Sequence, residues 1–485
     1  MKIVLINPSY YYQTPFQQVS EPLGLLYLAA YIRHYSQHRV AIVDCLDTLE
    51  ISKVSGGLFR YGVSLEKMIE RIAREKPDIV GLTNIFSRKK DDFFNCAQAI
   101  RQHFPSVALV TGGTYSSLQP EEVIRESCVD YAIIGEGEES LVSLLEALEM
   151  GDTAPHGIEG LAYRLQGEVH LTPKQHYIKD LDRLPFPARN LINYETYLNS
   201  KHVLHGLGLK RAASILTSRS CPNRCNFCSM SKVHGPKWRA RSAANVVAEI
   251  AELVLKYGVQ ELFIMDDNFT LSKQRILDIC AGIKEKGLKI HWNTPNGLAI
   301  NTLDEEVLKE MKTAGLSHIC VAIETGDNEL RNMVIGKRLK DDQIEKVVRA
   351  ASKLNLHVTA FYIIGMPGET EEKFRKTLEQ IRRLPLNAVA AAFANPLPGT
   401  KLYDDCQKNN WTILREDDHS GNPFYKPFII TDHFTEADLI NREKRFYRTF
   451  AKAKFLTLIK DAVLFRNKLL YPPYLMRIIK ERLVR

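Results

Sequence analysis

The 485-residue chain has no run of 18 or more apolar residues, so no membrane-spanning helix is expected. Residues 1–10 lack the basic, apolar and small-residue sections of a secretory signal, and a cytoplasmic protein is expected. Nine cysteines over this length make no disulfide framework. No Gly-x-Gly-x-x-Gly follows the first apolar run, which disfavours a dinucleotide site. Core-forming material is not scarce. Hydrophobic residues make up 45% and charged residues 25%, which excludes a disordered, collagen-like or coiled-coil chain. At this length two or three domains are expected.

Lys and Arg number 65 against 57 Asp and Glu, a net charge of +8. The surplus is not spread evenly. Residues 441–485 hold thirteen Lys or Arg and three acids, which leaves the rest of the chain slightly acidic. The basic character therefore belongs to the C-terminal region.

Residues 1–150 alternate short apolar runs with amphipathic stretches. Strands are predicted at 2–7, 40–44, 79–83, 108–111 and 131–134, and helices at 24–35, 65–75, 91–104, 121–126 and 139–150. Near-continuous apolar strands, each followed by a helix, predict a doubly wound parallel sheet of the α/β class. Ligands of such sheets sit beyond the carboxyl ends of the strands. Thr83, Gly112-Gly113 and Gly135-Glu136 stand at three of those ends. Glycine lets a backbone approach a bulky ligand, though it also simply punctuates turns. Residues 151–205 read as a linker with a hairpin. Within 206–410, strands predicted at 214–217, 261–265, 289–293, 318–323, 358–364 and 388–395 alternate with helices. Six such units predict a partial parallel barrel. Residues 411–485 read as a basic, mostly helical C-terminal region.

Just after the first barrel strand, Cys221, Cys225 and Cys228 lie on one loop at spacing Cys-x3-Cys-x2-Cys. Thiolates are soft ligands that select zinc, copper or iron–sulfur clusters. A closed zinc site needs four ligands, and the nearest fourth candidate is His234. A cuboidal iron–sulfur cluster normally takes four cysteines, so three leave one iron open.

This loop, with Phe227 directly before its last cysteine, resembles the signature of the radical S-adenosylmethionine (radical SAM) superfamily. The resemblance implies that Cys221, Cys225 and Cys228 hold a 4Fe–4S cluster whose open iron chelates the methionine part of SAM. Reductive cleavage of SAM would then yield a 5′-deoxyadenosyl radical. Further segments resemble the family's SAM-binding elements, each at a strand end. Met265-Asp266-Asp267-Asn268-Phe269 resembles the second-strand element, although adjacent acids there also cap helices. Glu324-Thr325-Gly326 resembles the segment after the fourth strand, and Phe361-Tyr362-Ile363-Ile364-Gly365-Met366-Pro367-Gly368 resembles the adenine-side segment of the fifth. Phe227, Asp266, Asp267, Glu324, Gly326 and Gly365 are thus implied as SAM contacts.

The first domain, with its Gly-Gly-Thr and Gly-Glu-Gly-Glu turns, is similar to that of the cobalamin-binding class of radical SAM proteins. So is the Leu184-Pro185-Phe186-Pro187 linker. This implies cobalamin contacts at Thr83, Gly112, Gly113, Gly135 and Glu136. One departure stands out: no histidine precedes His34, so an Asp-x-His-x-x-Gly axial ligand is unavailable. The resemblance implies methylation of an unactivated carbon on a small-molecule or lipid-like substrate, with electrons from a flavodoxin or ferredoxin. Ring formation or rearrangement without net methyl transfer, a first domain without cofactor, and a redox or cobalamin sensor are the competing readings. Cys45, Cys96 and Cys128 also admit a methylthiotransferase with a second cluster. In the tail, basic residues alternate with aromatic ones at helical spacing. This fits a helix packed on the barrel, or one docked on an anionic membrane, better than a nucleic-acid contact.

Overall fold

The computed structural model describes residues 1–12, 20–84, 89–199, 211–413 and 426–460. Five parallel strands form the N-terminal sheet: Lys2–Asn7, Arg39–Asp44, Ile79–Thr83, Ala108–Gly112 and Tyr131–Ile133. In chain order they lie 2-1-3-4-5, so the strand order reverses between the first and third strands. That reversal opens a crevice at Asn7 and Thr83, where such sheets bind ligands. Val4, Ile6, Val80 and Leu82 pack under helices Leu65–Glu75 and Lys90–His103, while Ile3, Leu5 and Ile79 pack under Leu23–Tyr35 and Glu138–Glu149. Both faces are covered, which is why these strands are apolar throughout rather than alternating. The predicted hairpin forms as Leu161–Leu165 and Glu168–Thr172 and extends the sheet antiparallel to Tyr131–Ile133.

Sequence patterning gave no hint of a small second sheet made by Tyr10–Tyr12, Phe59–Tyr61 and Ile51–Lys53. Tyr10 and Tyr12 turn inward and are buried. Residues 13–19 lie outside the described residues.

Six parallel strands in sequential order form the second sheet: Ala212–Ile215, Glu261–Ile264, His291–Leu298, Leu316–Glu324, His357–Ile364 and Ala388–Phe393. The first and last do not pair, so the barrel is partial as predicted. Val389, Ala391 and Phe393 join the core beneath the outer helices, whereas Ala388, Ala390 and Ala392 on the other face stay half-buried.

The two domains are joined by buried ion pairs. Arg189, on the proline-rich linker, meets Glu249 at 2.7 Å and Glu21 at 3.7 Å. Glu21 in turn accepts the Ser214 amide of the first barrel strand at 2.5 Å. The helix Glu436–Lys460 packs on Glu371–Arg383. Its Arg442 reaches Glu369 at 3.0 Å, and Phe446 is buried against Tyr362. Arg442 and Arg445 are both engaged by barrel carboxylates, so this part of the basic helix is a packing element. Residues 461–485 of the tail lie outside the described residues. No helix among the described residues is long and apolar enough to cross a membrane.

Candidate active site at the strand ends

The cysteine loop leaves the first barrel strand through a short ribbon, Ser218–Arg219 paired with Arg239–Ala240. Ser220 then turns the chain at φ +70°. The Cys228 amide donates to the Cys225 carbonyl at 3.0 Å. Asn226 is pinned on both sides, its amide donating to Ile335 and its carbonyl accepting from Leu402. Cys221, Cys225 and Cys228 are half-buried, whereas the other six cysteines are buried. Burial pushes the Cys225 thiol up to about 12 against the pull of Lys337, and it raises Cys228 as well. Such thiols keep their protons until a metal displaces them. No three His, Cys, Asp or Glu among the described residues converge on a single ion. Three thiols on one loop, each free to meet a different iron, fit a cuboidal cluster with one open corner.

The thiols are surrounded by the groups a charged ligand needs. Glu324, held at φ +70° and buried, pairs with Lys337 at 2.5 Å, and both charges act on Cys225. The Asn268 amide donates toward Cys221 Sγ at 3.5 Å. Asp267 is half-buried beside Cys228 and His234, and its desolvation there raises its carboxyl. Phe227 is half-buried against the barrel core. Asn268 stands within the expected second-strand element, whereas Lys337 lies in none of the expected elements. Lys337 follows an irregular helical turn, Leu330–Val334, with no periodic signal to mark it.

Three expected SAM contacts are already engaged by the protein. Asp266 accepts from Thr217 N, Thr217 Oγ1 and Ser218 Oγ at 2.5–2.6 Å, so it anchors the start of the ribbon. Gly326 faces outward, because a Cβ there would meet Thr377 N at 2.6 Å in the outer helix. The Gly365 amide donates to Glu369 at 2.9 Å, and a Cβ would meet Leu439 of the C-terminal helix at 3.0 Å. Asp266 and Asp267 both lie beyond the end of the strand Glu261–Ile264, the first buried in its bonds to Thr217 and Ser218 and the second half-buried.

At the mouth of the N-terminal sheet, Thr83 is half-buried and Gly113 adopts φ +111°. A Cβ on Gly113 would lie 2.5 Å from the Asn84 carbonyl, so only glycine fits. Gly112 has room, with Ile133 at 3.7 Å. Asn84 Nδ2 is buried without a partner among the described residues. This glycine cradle and orphaned donor, at the strand reversal, fit a bulky ligand such as a corrinoid. Gly135 sits at φ +77° with its amide donating to Ser117 Oγ. Glu136 departs from expectation: it is buried between Arg239 (2.7 Å), Arg219 (3.3 Å) and His234 (3.7 Å). Its carboxylate faces the cysteine loop. Burial would raise its pKa, yet the two guanidinium groups and a hydrogen bond from His234 hold it well below the usual carboxylate range.

Residues 215–381 match the Radical SAM superfamily, and residues 14–145 match the B12 binding domain. An uncharacterised methyltransferase of Pyrococcus horikoshii is 32% identical over 93% of this chain and 92% of its own length. The cytidylyl-2-hydroxyethylphosphonate methyltransferase of Streptomyces wedmorensis is 28% identical over 86% of this chain and 83% of its own. The fold matches that of the radical SAM methyltransferase TsrM from Kitasatospora setae, solved with cobalamin and a 4Fe–4S cluster. The TM-score is 0.69 at 18% identity, over 88% of this chain and 82% of that one. The chain belongs to the cobalamin-binding class of the radical SAM superfamily, enzymes whose cofactors are a 4Fe–4S cluster, SAM and cobalamin.

Proposed function

We propose that this enzyme transfers a methyl group to an unactivated carbon of a small molecule. The observation that carries the reading is that the glycine-lined crevice of the first domain and the cysteine loop of the barrel meet across one seam at Glu136. When bound, the cluster and SAM supply a carbon-hydrogen abstracting radical, and cobalamin supplies a transferable methyl group.

The chain's own residues bind and orient. Cys221, Cys225 and Cys228 hold the cluster. Lys337 and Glu324 form a ready-made pair for an amino-acid zwitterion, the ammonium of Lys337 for its carboxylate and the carboxylate of Glu324 for its amino group. Asp267 is placed for a further polar contact, and Phe227 for packing against a base. Gly113, Gly112, Thr83 and Asn84 line the corrinoid crevice. A flavodoxin- or ferredoxin-type protein is the proposed electron donor.

The test is anaerobic expression with cobalamin supplied. Equimolar cobalt in the purified chain, with 5′-deoxyadenosine formed from SAM under reduction, is the expected result. Cluster-dependent SAM cleavage by a chain that takes up no corrinoid would overturn the methyl-transfer reading.

A further inference from the structure

The Glu136 carboxylate belongs to the first domain, yet both guanidinium groups it holds flank the cysteine loop. Arg219 lies two residues before Cys221, and Arg239 stands opposite it on the ribbon that closes the loop. Arg239 grips with both nitrogens, at 2.7 and 2.9 Å, and also donates to the Ile178 carbonyl and to that of His234. Arg219 is shared with Glu138 at 2.5 Å and lies over the Tyr27 ring. All these ionisable side chains except His234 are nearly or fully buried. Buried guanidinium–carboxylate forks are short, directional and unscreened by salt.

On its other side the turn is tied to the glycine cradle. Ser117 Oγ donates to the Gly113 carbonyl at 2.8 Å and accepts the Gly135 amide at 2.9 Å. A Cβ on Gly135 would sit 3.2 Å from the Val233 carbonyl, in the segment that follows the cysteines. The path from Gly113 through Ser117, Gly135 and Glu136 to Arg219 and Arg239 is therefore continuous. None of its links passes through a flexible surface side chain.

We propose that Glu136 is a positioning residue that couples the two cofactor sites, so that filling the cysteine loop tightens corrinoid binding at the Gly113 crevice, and the reverse. The inference rests on reading that crevice as the corrinoid site. Coupling between binding sites is reciprocal, so measuring one direction suffices.

The experiment titrates the full chain with hydroxocobalamin, with its cluster reconstituted and with its cluster removed, in wild type and in Glu136→Gln. Gln keeps the shape and the acceptor oxygen but loses the charge. Wild type is expected to bind the corrinoid roughly fivefold or more tightly with the cluster in place, and Glu136→Gln to bring that ratio close to one. Arg239→Lys, which keeps the charge but loses the two-pronged grip, should give an intermediate ratio, and it stands in if Glu136→Gln fails to fold. A wild-type ratio of one, or an undiminished ratio in both variants, overturns the coupling. Absence of corrinoid binding in every sample overturns the assignment of the crevice itself.

Discussion

The two strand-end crevices follow one topological rule and carry opposite chemistries. At the barrel mouth, three half-exposed thiols stand beside Glu324, Lys337 and Asp267, so the site is made of ionisable side chains. At the mouth of the N-terminal sheet, the corresponding positions are Thr83, Asn84, Gly112 and Gly113. Among the described residues, the nearby carboxylates are already engaged, Asp44 by Asn7 and Tyr197, and Glu136 by two arginines. The first arrangement suits a metal cluster and a small zwitterion, whose charges must be balanced at close range. The second suits a bulky ligand recognised by shape and backbone, because glycine leaves space and the charges named here are already paired. Specialisation here lies in side chains placed at equivalent ends of similar sheets.

The comparison breaks most visibly at the cysteines. Cys225→Ala is expected to reduce cluster iron to background and to abolish SAM cleavage, while the chain still binds corrinoid. Iron analysis beside a corrinoid titration checks it. Equal loss of both cofactors would mean that the two crevices are not separate sites. The converse variant is Gly113→Val. It forces a β-branched residue into φ +111° against the Asn84 carbonyl, a strain of about 2 kcal/mol or more. Corrinoid affinity should fall roughly 30-fold with cluster content unchanged. A parallel loss of iron would count against the separation.

The same division explains what was legible in the sequence. Strands Lys2–Asn7 and Ile79–Thr83 were predicted to the residue, because strands buried on both faces announce themselves as unbroken apolar runs. The third barrel strand was predicted to stop at 293 but continues through Pro295 and Gly297 to Leu298. Those residue types ordinarily end a strand, and here a register shift after Thr294 accommodates them. The cysteines were readable because all three ligands lie within eight positions. Lys337 meets Glu324 from a separate loop, and Arg239 meets Glu136 across 103 residues, so neither pairing leaves a local pattern. Glu136 stands out in the sequence through its turn, while its engagement by Arg219 and Arg239 becomes visible only in the fold. A turn motif shows where a carboxylate stands, not which domain it faces.

Lys337 sharpens the comparison from the barrel side. In Lys337→Gln, Glu324 loses its cation and the proposed carboxylate contact becomes a neutral hydrogen bond. SAM affinity is expected to fall roughly tenfold, about the difference between a charge-assisted and a neutral bond. Cluster content and corrinoid affinity should hold. Equilibrium binding of SAM to the reconstituted protein measures the first, and unchanged SAM affinity would remove Lys337 from the site. Lys337→Arg keeps the charge and should recover most of the loss.

The smallest effect concerns the seam between the two regions. Burial acts to raise the Glu136 carboxyl, but Arg219, His234 and Arg239 together hold it well below its ordinary value. A carboxyl depressed in the folded state contributes stability that is fully present above its unfolded pKa of about 4.3. That contribution is lost as pH falls through the folded value. The stability gap between wild type and Glu136→Gln, measured by denaturant on cluster-free protein, should therefore be constant from about pH 7 to 5. Below about pH 4 it should narrow by about 1 kcal/mol per pH unit, because the unfolded wild-type chain takes up a proton that the folded chain still refuses. A gap that stayed level down to about pH 3 would show that the glutamate is not the charge holding the arginines. The seam would then depend on Glu138 and Arg219 instead.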